Sequence, residues 1–200
     1  MVVLAASCGR SMEPSCIQKE VDVSFDVDVA QPATKAYGDG MTVNTVHVYA
    51  YLKDPVSGKL SYIDPVAYGE NCPTKTLDMV GGKAPYSTRL VMGQEYVIVF
   101  WADYQSDDYD SPYTYDSASH TISIKDHNYQ AYAVPANDER RDAFYAVETI
   151  TVNGAIGDRT VRLKRPFAQV NIGITDSGLA DAASKGITLK DLSVTFSNVA

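Results

Sequence analysis

Five carboxylates in one short stretch are the first residues whose types suggest chemistry: Asp103, Asp107, Asp108, Asp110 and Asp116. Carboxylate oxygens are hard ligands of the kind Ca²⁺ takes, but their spacing does not follow an EF-hand loop. The stretch therefore reads as a solvated acidic loop, and no metal is assigned. Tyr104, Tyr109, Tyr113 and Tyr115 are interleaved with these aspartates, and Trp101 lies just ahead of them. Aromatic rings carried on loops can stack on sugars or on a partner protein, which makes these five the candidate ligand contacts, or the tyrosines can pack over the edge of the sandwich. Of the three histidines, His47 falls in a strand with parity opposite to its core positions, which places it on the wet face. His120 and His127 flank a short strand and lie in loops. No His-Glu-x-x-His or Cys-x-x-Cys pattern is present for zinc. There is no Gly-x-Ser-x-Gly elbow and no glycine-rich phosphate loop. The expectation is a protein that is not an enzyme and holds no cofactor.

The cysteines suggest a different chemistry. Three of them, Cys8, Cys16 and Cys72, are too few for a disulfide framework. The chain opens Met1-Val-Val-Leu-Ala-Ala-Ser-Cys-Gly9: apolar residues, then small ones, then a thiol. This order resembles the lipobox of a bacterial lipoprotein signal. Ala6 and Ser7 would let the signal peptidase approach closely, and the Cys8 thiol would carry a diacylglycerol. Each buried CH₂ of such an anchor contributes about 0.8 kcal/mol. Residues 1–8 then read as a signal remnant and residues 9–20 as a tether without a clear period. With Cys8 acylated, Cys16 and Cys72 remain, and their pairing stays open. The lipid anchor is the one membrane contact expected, because no run of 18 apolar residues exists.

The elements that must carry these residues follow from composition and period. Of 200 residues, 45% are hydrophobic and 21% charged, enough to bury a core. The net charge of -8 repels phosphate backbones and anionic headgroups, which excludes nucleic acid as a partner. Fourteen tyrosines against five phenylalanines suit half-buried sheet faces.

Val21, Val23, Phe25, Val27 and Val29 alternate with polar residues without a break, a strong strand pattern. Thr42 to Leu52 alternates again, with Val46, Val48, Ala50 and Leu52 inward. Asp54 to Gly58 turns the chain into a short strand, Lys59 to Ile63, forming a hairpin. Asp64 to Pro85 is poorly patterned. Gly93 separates Thr88–Met92 from Glu95–Ala102, and the second of these is apolar on both faces, as a central strand is. Asp103 to Asp116 reads as loop and Thr121 to Ile124 as strand. One helical turn is expected within Ala136–Asp142. Strands are expected at Ala143–Val152, Thr160–Leu163, Phe167–Ile174 and Leu189–Phe196. A short helix over Leu179–Ser184 stops at Gly186. Nine or ten strands with turn chemistry between them predict an all-β sandwich of mostly antiparallel strands, with one or two short helices. The chain ends close after a strand, which predicts further chain and a C-terminal domain downstream.

The strand Arg165-Pro-Phe-Ala-Gln-Val-Asn-Ile-Gly173 resembles one in the fimbrillin superfamily of Gram-negative anaerobes, Mfa-like and related surface lipoproteins included. Val43-Asn-Thr-Val-His-Val-Tyr-Ala-Tyr51, Leu192-Ser-Val-Thr-Phe-Ser-Asn198 and Cys8 agree with it. The resemblance covers roughly residues 20–200 and implies that 21–200 is a transthyretin-like N-terminal β-sandwich domain. It also implies an outer-membrane lipoprotein that serves as a pilus subunit or pilus-associated adhesin. In pilin members a trypsin-like protease cuts after a basic residue near the first strand, and a strand of the next subunit fills the groove. Here the leaving strand would be Val21–Val29 and the basic residue Lys35, where the family usually offers Arg. Partners by strand addition would be other pilus subunits or surface proteins. A second reading, from the residues themselves, is a glycan-binding surface lipoprotein with Trp101 and the loop tyrosines as its platform.

Overall fold

The computed structural model describes residues 19–29, 40–69, 71–116, 119, 121–125, 138–166 and 176–188. Ten strands lie among them. They are β1 (Glu20–Val29), β2 (Thr45–Lys53), β3 (Leu60–Tyr62), β4 (Lys75–Asp78), β5 (Lys83–Val91), β6 (Glu95–Asp103), β7 (Tyr113–Asp116), β8 (Thr121–Ile124), β9 (Ala143–Thr151) and β10 (Arg159–Leu163). One sheet has the order β10-β1-β5. The second has the order β3-β2-β6-β9, with β4 also paired to β2, and β7 and β8 form a separate two-stranded ribbon. The expected all-β sandwich is the fold found.

The alternation of β1 fixes its place. Val23, Phe25, Val27 and Val29 are each at most 2% exposed and face the second sheet. There they meet Val46, Val48, Ala50, Ile98 and Phe100 in one core cluster. Phe25 stacks on Tyr86 at 5.3 Å and tilts against Phe100 at 5.7 Å. The Tyr86 hydroxyl, buried with its ring, donates to Pro73 O at 2.6 Å, so the polar tip is not orphaned. β1 runs antiparallel to β5 from Glu20↔Val91 to Asp28↔Lys83. On its other side it runs parallel to β10, from Phe25↔Arg159 to Val29↔Leu163. The remaining strand pairs are antiparallel.

Two glycines turn the chain with the positive φ that other residues adopt only at a cost. Gly93, at φ +82°, ends the passage from β5 in one sheet to β6 in the other, and its N–H donates to Val152 O at 2.7 Å. Gly40 has φ +78°, and a Cβ there would lie 2.6 Å from Val29 Cγ1 and 3.0 Å from Phe144 Cζ. Both the left-handed backbone and the close approach over the end of β1 require glycine.

Several boundaries differ from the sequence reading. Asp64–Pro85 is not unpatterned: it holds the helical turn α1 (Pro65–Tyr68), all of β4 and the start of β5. The Asp64 side chain caps α1 by accepting from Val66 N, with Pro65 in the first turn. Pro85 lies inside β5, which is an edge strand, and there a missing N–H costs no ladder bond on the open side. Asp103–Asp116 likewise holds β7 and a bridge between Ser106 and Tyr109. The helical turn near residue 140 is a 3₁₀ turn, Glu139–Arg141, capped by Asp138. Phe167–Ile174 and Leu189–Phe196 fall outside the described residues.

Residues 167–200 form a second compact unit. Its helix α2 (Asp176–Ser184) ends at Gly186, φ +70°, where Gly186 N donates to Ala183 O and Ile187 N to Ala182 O. That is the paired bonding of a Schellman cap. Among the described residues no helix is long and apolar enough to cross a membrane.

Candidate functional site

The strand period puts His47, Tyr49 and Tyr51 on the outer face of β2, away from the core, beside Trp101 and Asp103 of β6. This face is not open. The β7–β8 ribbon lies against it, and Tyr115 stacks on Tyr49 with ring centroids 3.7 Å apart. The Tyr115 and Tyr51 hydroxyls share a 2.5 Å hydrogen bond. Tyr113 meets Trp101 edge-on at 5.1 Å, and its hydroxyl donates to Arg141 O. Aromatic residues on both sides of β2 and β6 are thus explained by a second, smaller layer.

That layer buries a charge. Asp103 is 2% exposed. Its Oδ2 accepts from Gln105 Nε2 at 2.9 Å and Ser111 Oγ at 3.1 Å. Its Oδ1 makes no hydrogen bond, and His47 Nε2 stands 3.5 Å away. The Nδ1 of the same ring is 3.2 Å from Thr76 Oγ1. Asn44 and Gln105 lock the chain after β6 by exchanging two bonds: Asn44 Nδ2 donates to Gln105 O, and Gln105 N donates to Asn44 Oδ1. Between ribbon and sheet a pocket of about 190 Å³ remains, lined by His47, Tyr49, Trp101, Asp103, Gln105 and Tyr115, among others. A wider depression of about 470 Å³ lies on the far side of Tyr49, against Tyr62, Pro65 and Cys72.

Burial shifts the tyrosines of this layer. It pushes Tyr113 up to about 12. Tyr49 goes higher still, through burial first and then the Asp103 charge. Tyr115 is raised by burial and by its bond to Tyr51, and in the core Tyr86 is raised by burial. A tyrosine whose folded pKa exceeds its unfolded value near 10 loses its proton first in the unfolded chain. Stability is therefore full below about pH 10 and falls as pH rises through the folded values. The expected result is a denaturation midpoint that is flat up to about pH 10 and drops beyond it. Tyrosinate absorbance should appear together with unfolding rather than before it.

The sequence-predicted residues are distributed as follows. Trp101 sits on β6, 6% exposed, and forms a wall of the pocket instead of an open platform. Tyr113 and Tyr115 face the sheet from β7. Tyr104 and Tyr109 lie in the preceding connection, edge to face at 5.2 Å, where Tyr109 carries the Arg140 guanidinium at 4.9 Å. Arg140 in turn grips Asp138 with two bonds. The aspartates disperse: Asp108 accepts from Ser106, Asp110 pairs with Lys125, and Asp116 accepts from Ser119. Among the described residues no three acidic, histidine or cysteine side chains gather as metal ligands. Cys72 is a buried free thiol. Cys8, Cys16, Lys35, His120 and His127 lie outside the described residues. Sequence reasoning missed Tyr49, Tyr51 and Gln105. The alternation His47-x-Tyr49-x-Tyr51 on the polar side of β2 was the available signal that this face is covered.

No curated protein sequence matches the chain. A solved structure, a fimbrial assembly protein from Parabacteroides distasonis, aligns at 15% identity and a TM-score of 0.32. The alignment covers 74% of this chain and 54% of that one, so this chain spans about half the length of the protein it matches. A family model matches residues 15–200, and the chain belongs to that family, DUF6562, a family of unknown function.

Proposed function

We propose that the chain is a subunit or associated component of a surface filament, joined to its neighbours by exchange of the first strand. The observation that carries this reading is the position of β1. It comes first in the described chain, yet it is the middle strand of its sheet, with β10 and β5 on either side. Once the segment that follows it is cut, a middle strand can leave the sheet without unravelling its neighbours. Its departure leaves two strand edges and four apolar sites that one extended segment can fill again, through main-chain hydrogen bonds and pockets for alternate side chains. Lys35, in the segment 30–39 that follows β1, supplies the basic residue for the cut that frees it. The resemblance of 165–173 to a fimbrillin strand points to the same assembly. In this reading Cys8 carries the lipid that holds the precursor at the outer membrane, and the chain performs no catalysis.

Limited trypsin digestion with mass spectrometry tests the reading. The first cut is expected after Lys35, with residues 36–166 resistant. A digest that opens exposed loops of the sandwich while the 30–39 segment stays intact would contradict it.

A further inference from the structure

One oxygen in the pocket under the β7–β8 ribbon is both buried and unpaired. Asp103 is 2% exposed, and its Oδ1 accepts no hydrogen bond and is closed to water. The other oxygen, Oδ2, is fully used by Gln105 and Ser111. Among the described residues the basic group in ion-pair range is His47, whose Nε2 stands 3.5 Å from Oδ1. That exceeds the usual N–H···O distance of about 2.7–3.2 Å, so the two atoms do not satisfy each other. A buried carboxylate oxygen with no donor is costly, and the fold supplies neither the donor nor a lysine or arginine to offset the charge.

The missing group is a cation that carries hydrogens. An anion is repelled by Asp103, and a neutral hydroxyl can donate to Oδ1 but leaves its charge in place. A metal ion needs several ligands together, and no three metal-ligating side chains gather among the described residues. An alkylammonium brings both the charge and the N–H donors. The rings of Tyr49, Trp101, Tyr113 and Tyr115 wall the pocket, and aromatic rings attract such a cation and pack on its carbon chain. With Nδ1–H of His47 donating to Thr76 Oγ1, 3.2 Å away, Nε2 becomes an acceptor. One nitrogen about 2.9 Å from both acceptors then spans the gap between Oδ1 and Nε2. The His47 side chain, 23% exposed, stands at the rim and turns aside to admit the group. The volume of about 190 Å³ holds about six waters, room for a short aliphatic amine. We propose that this pocket binds a primary alkylammonium group, with Asp103 Oδ1 and His47 Nε2 as its acceptors. The sites used for strand exchange lie on the other sheet, so this binding does not depend on that reading.

Trp101 is the single tryptophan of the chain, so its indole N–H gives one NMR signal that reports the pocket directly. The full chain is titrated at pH 8, where an alkylamine still carries its proton, with sodium chloride holding the ionic strength constant. The probes are n-butylamine, Nα-acetyl-lysine N-methylamide, 1-butanol and calcium chloride. Butylammonium is expected to shift the indole signal saturably in the millimolar range, while butanol and calcium leave it unchanged. The lysine derivative separates the two sources of the group. Tighter binding than butylamine assigns it to a protein side chain and weaker binding to a free amine, and both agree with the proposal. Asp103→Asn keeps an oxygen for Gln105 and Ser111 and removes the charge. It should melt no lower than the parent, while its affinity for butylammonium falls at least about tenfold. The parent alone also decides the matter, because its melting temperature should rise with butylammonium and not with butanol. The proposal is overturned if neither ammonium gives a saturable shift, or if butanol binds as well. It is equally overturned if calcium displaces the amine, or if folded Asp103→Asn binds it as tightly as the parent.

Discussion

Phe25→Ala is expected to destabilise the sandwich by about 3–5 kcal/mol, the range for removing a buried aromatic side chain. Phe25 is 1% exposed and touches the cores of both sheets through Tyr86 and Phe100. Those two rings also contact each other, with centroids 5.9 Å apart, so neither is free to collapse into the space. The loss is a large part of the 5–15 kcal/mol that holds a typical domain together. Urea titration should show a lower midpoint with an unchanged slope. Asp26→Ala is the control: its side chain is exposed on the other face of the same strand, and its effect should stay within about 0.5 kcal/mol. Equal effects at the two positions would mean that the register of β1 is wrong.

The larger effect is expected from losing β1 altogether. Val23, Phe25, Val27 and Val29 each contribute about 1.5–3 kcal/mol by burial, roughly 6–12 kcal/mol together. That alone matches the whole stability of a typical domain, before the ladder bonds to β5 and β10 are counted. A chain beginning at residue 36 should therefore lack a cooperative unfolding transition. Adding a peptide of residues 20–29 should restore the transition at a one-to-one ratio. A peptide carrying Phe25→Ala and Val27→Ala should fail to do so at the same concentration. Circular dichroism with and without each peptide reads the result. A residue 36–200 chain that melts as sharply as the parent would remove the basis for strand exchange.

The parts of this fold that were legible in the sequence are those where one physical pattern acts alone. β1 alternates perfectly because one of its faces is buried and the other wet, and its inward set was read correctly at every position. β6 reads as central because both its faces are covered. The rest was hidden where two constraints overlap. β4 and the start of β5 lie in a stretch whose Pro and Gly content reads as loop, and an edge strand tolerates such residues where a central strand does not. The pairing of β1 with β10 is set by residues far apart in the chain, and nothing local in Arg159–Leu163 specifies it. The candidate site was half legible. The Tyr-rich stretch and Trp101 stand out by residue type, but the sequence leaves open whether they form an exposed platform or pack over the edge of the sandwich. The ribbon that folds Tyr113 and Tyr115 back over His47, Tyr49 and Trp101 turns that platform into a small pocket. Asp103, one of five aspartates in that stretch, gave no sign in the sequence that it alone is buried.

The most direct test of strand exchange uses the full chain with a specific protease site placed at Lys35. After cutting under native conditions, β1 is held by non-covalent contacts only. A fluorescently labelled peptide of residues 20–29 is then added in excess and its anisotropy followed. Slow, stoichiometric uptake of the labelled strand with release of the original fragment is expected, and much weaker uptake when the peptide carries Phe25→Ala. A cut chain that keeps its own strand indefinitely and takes up no peptide, while remaining folded, would contradict strand exchange.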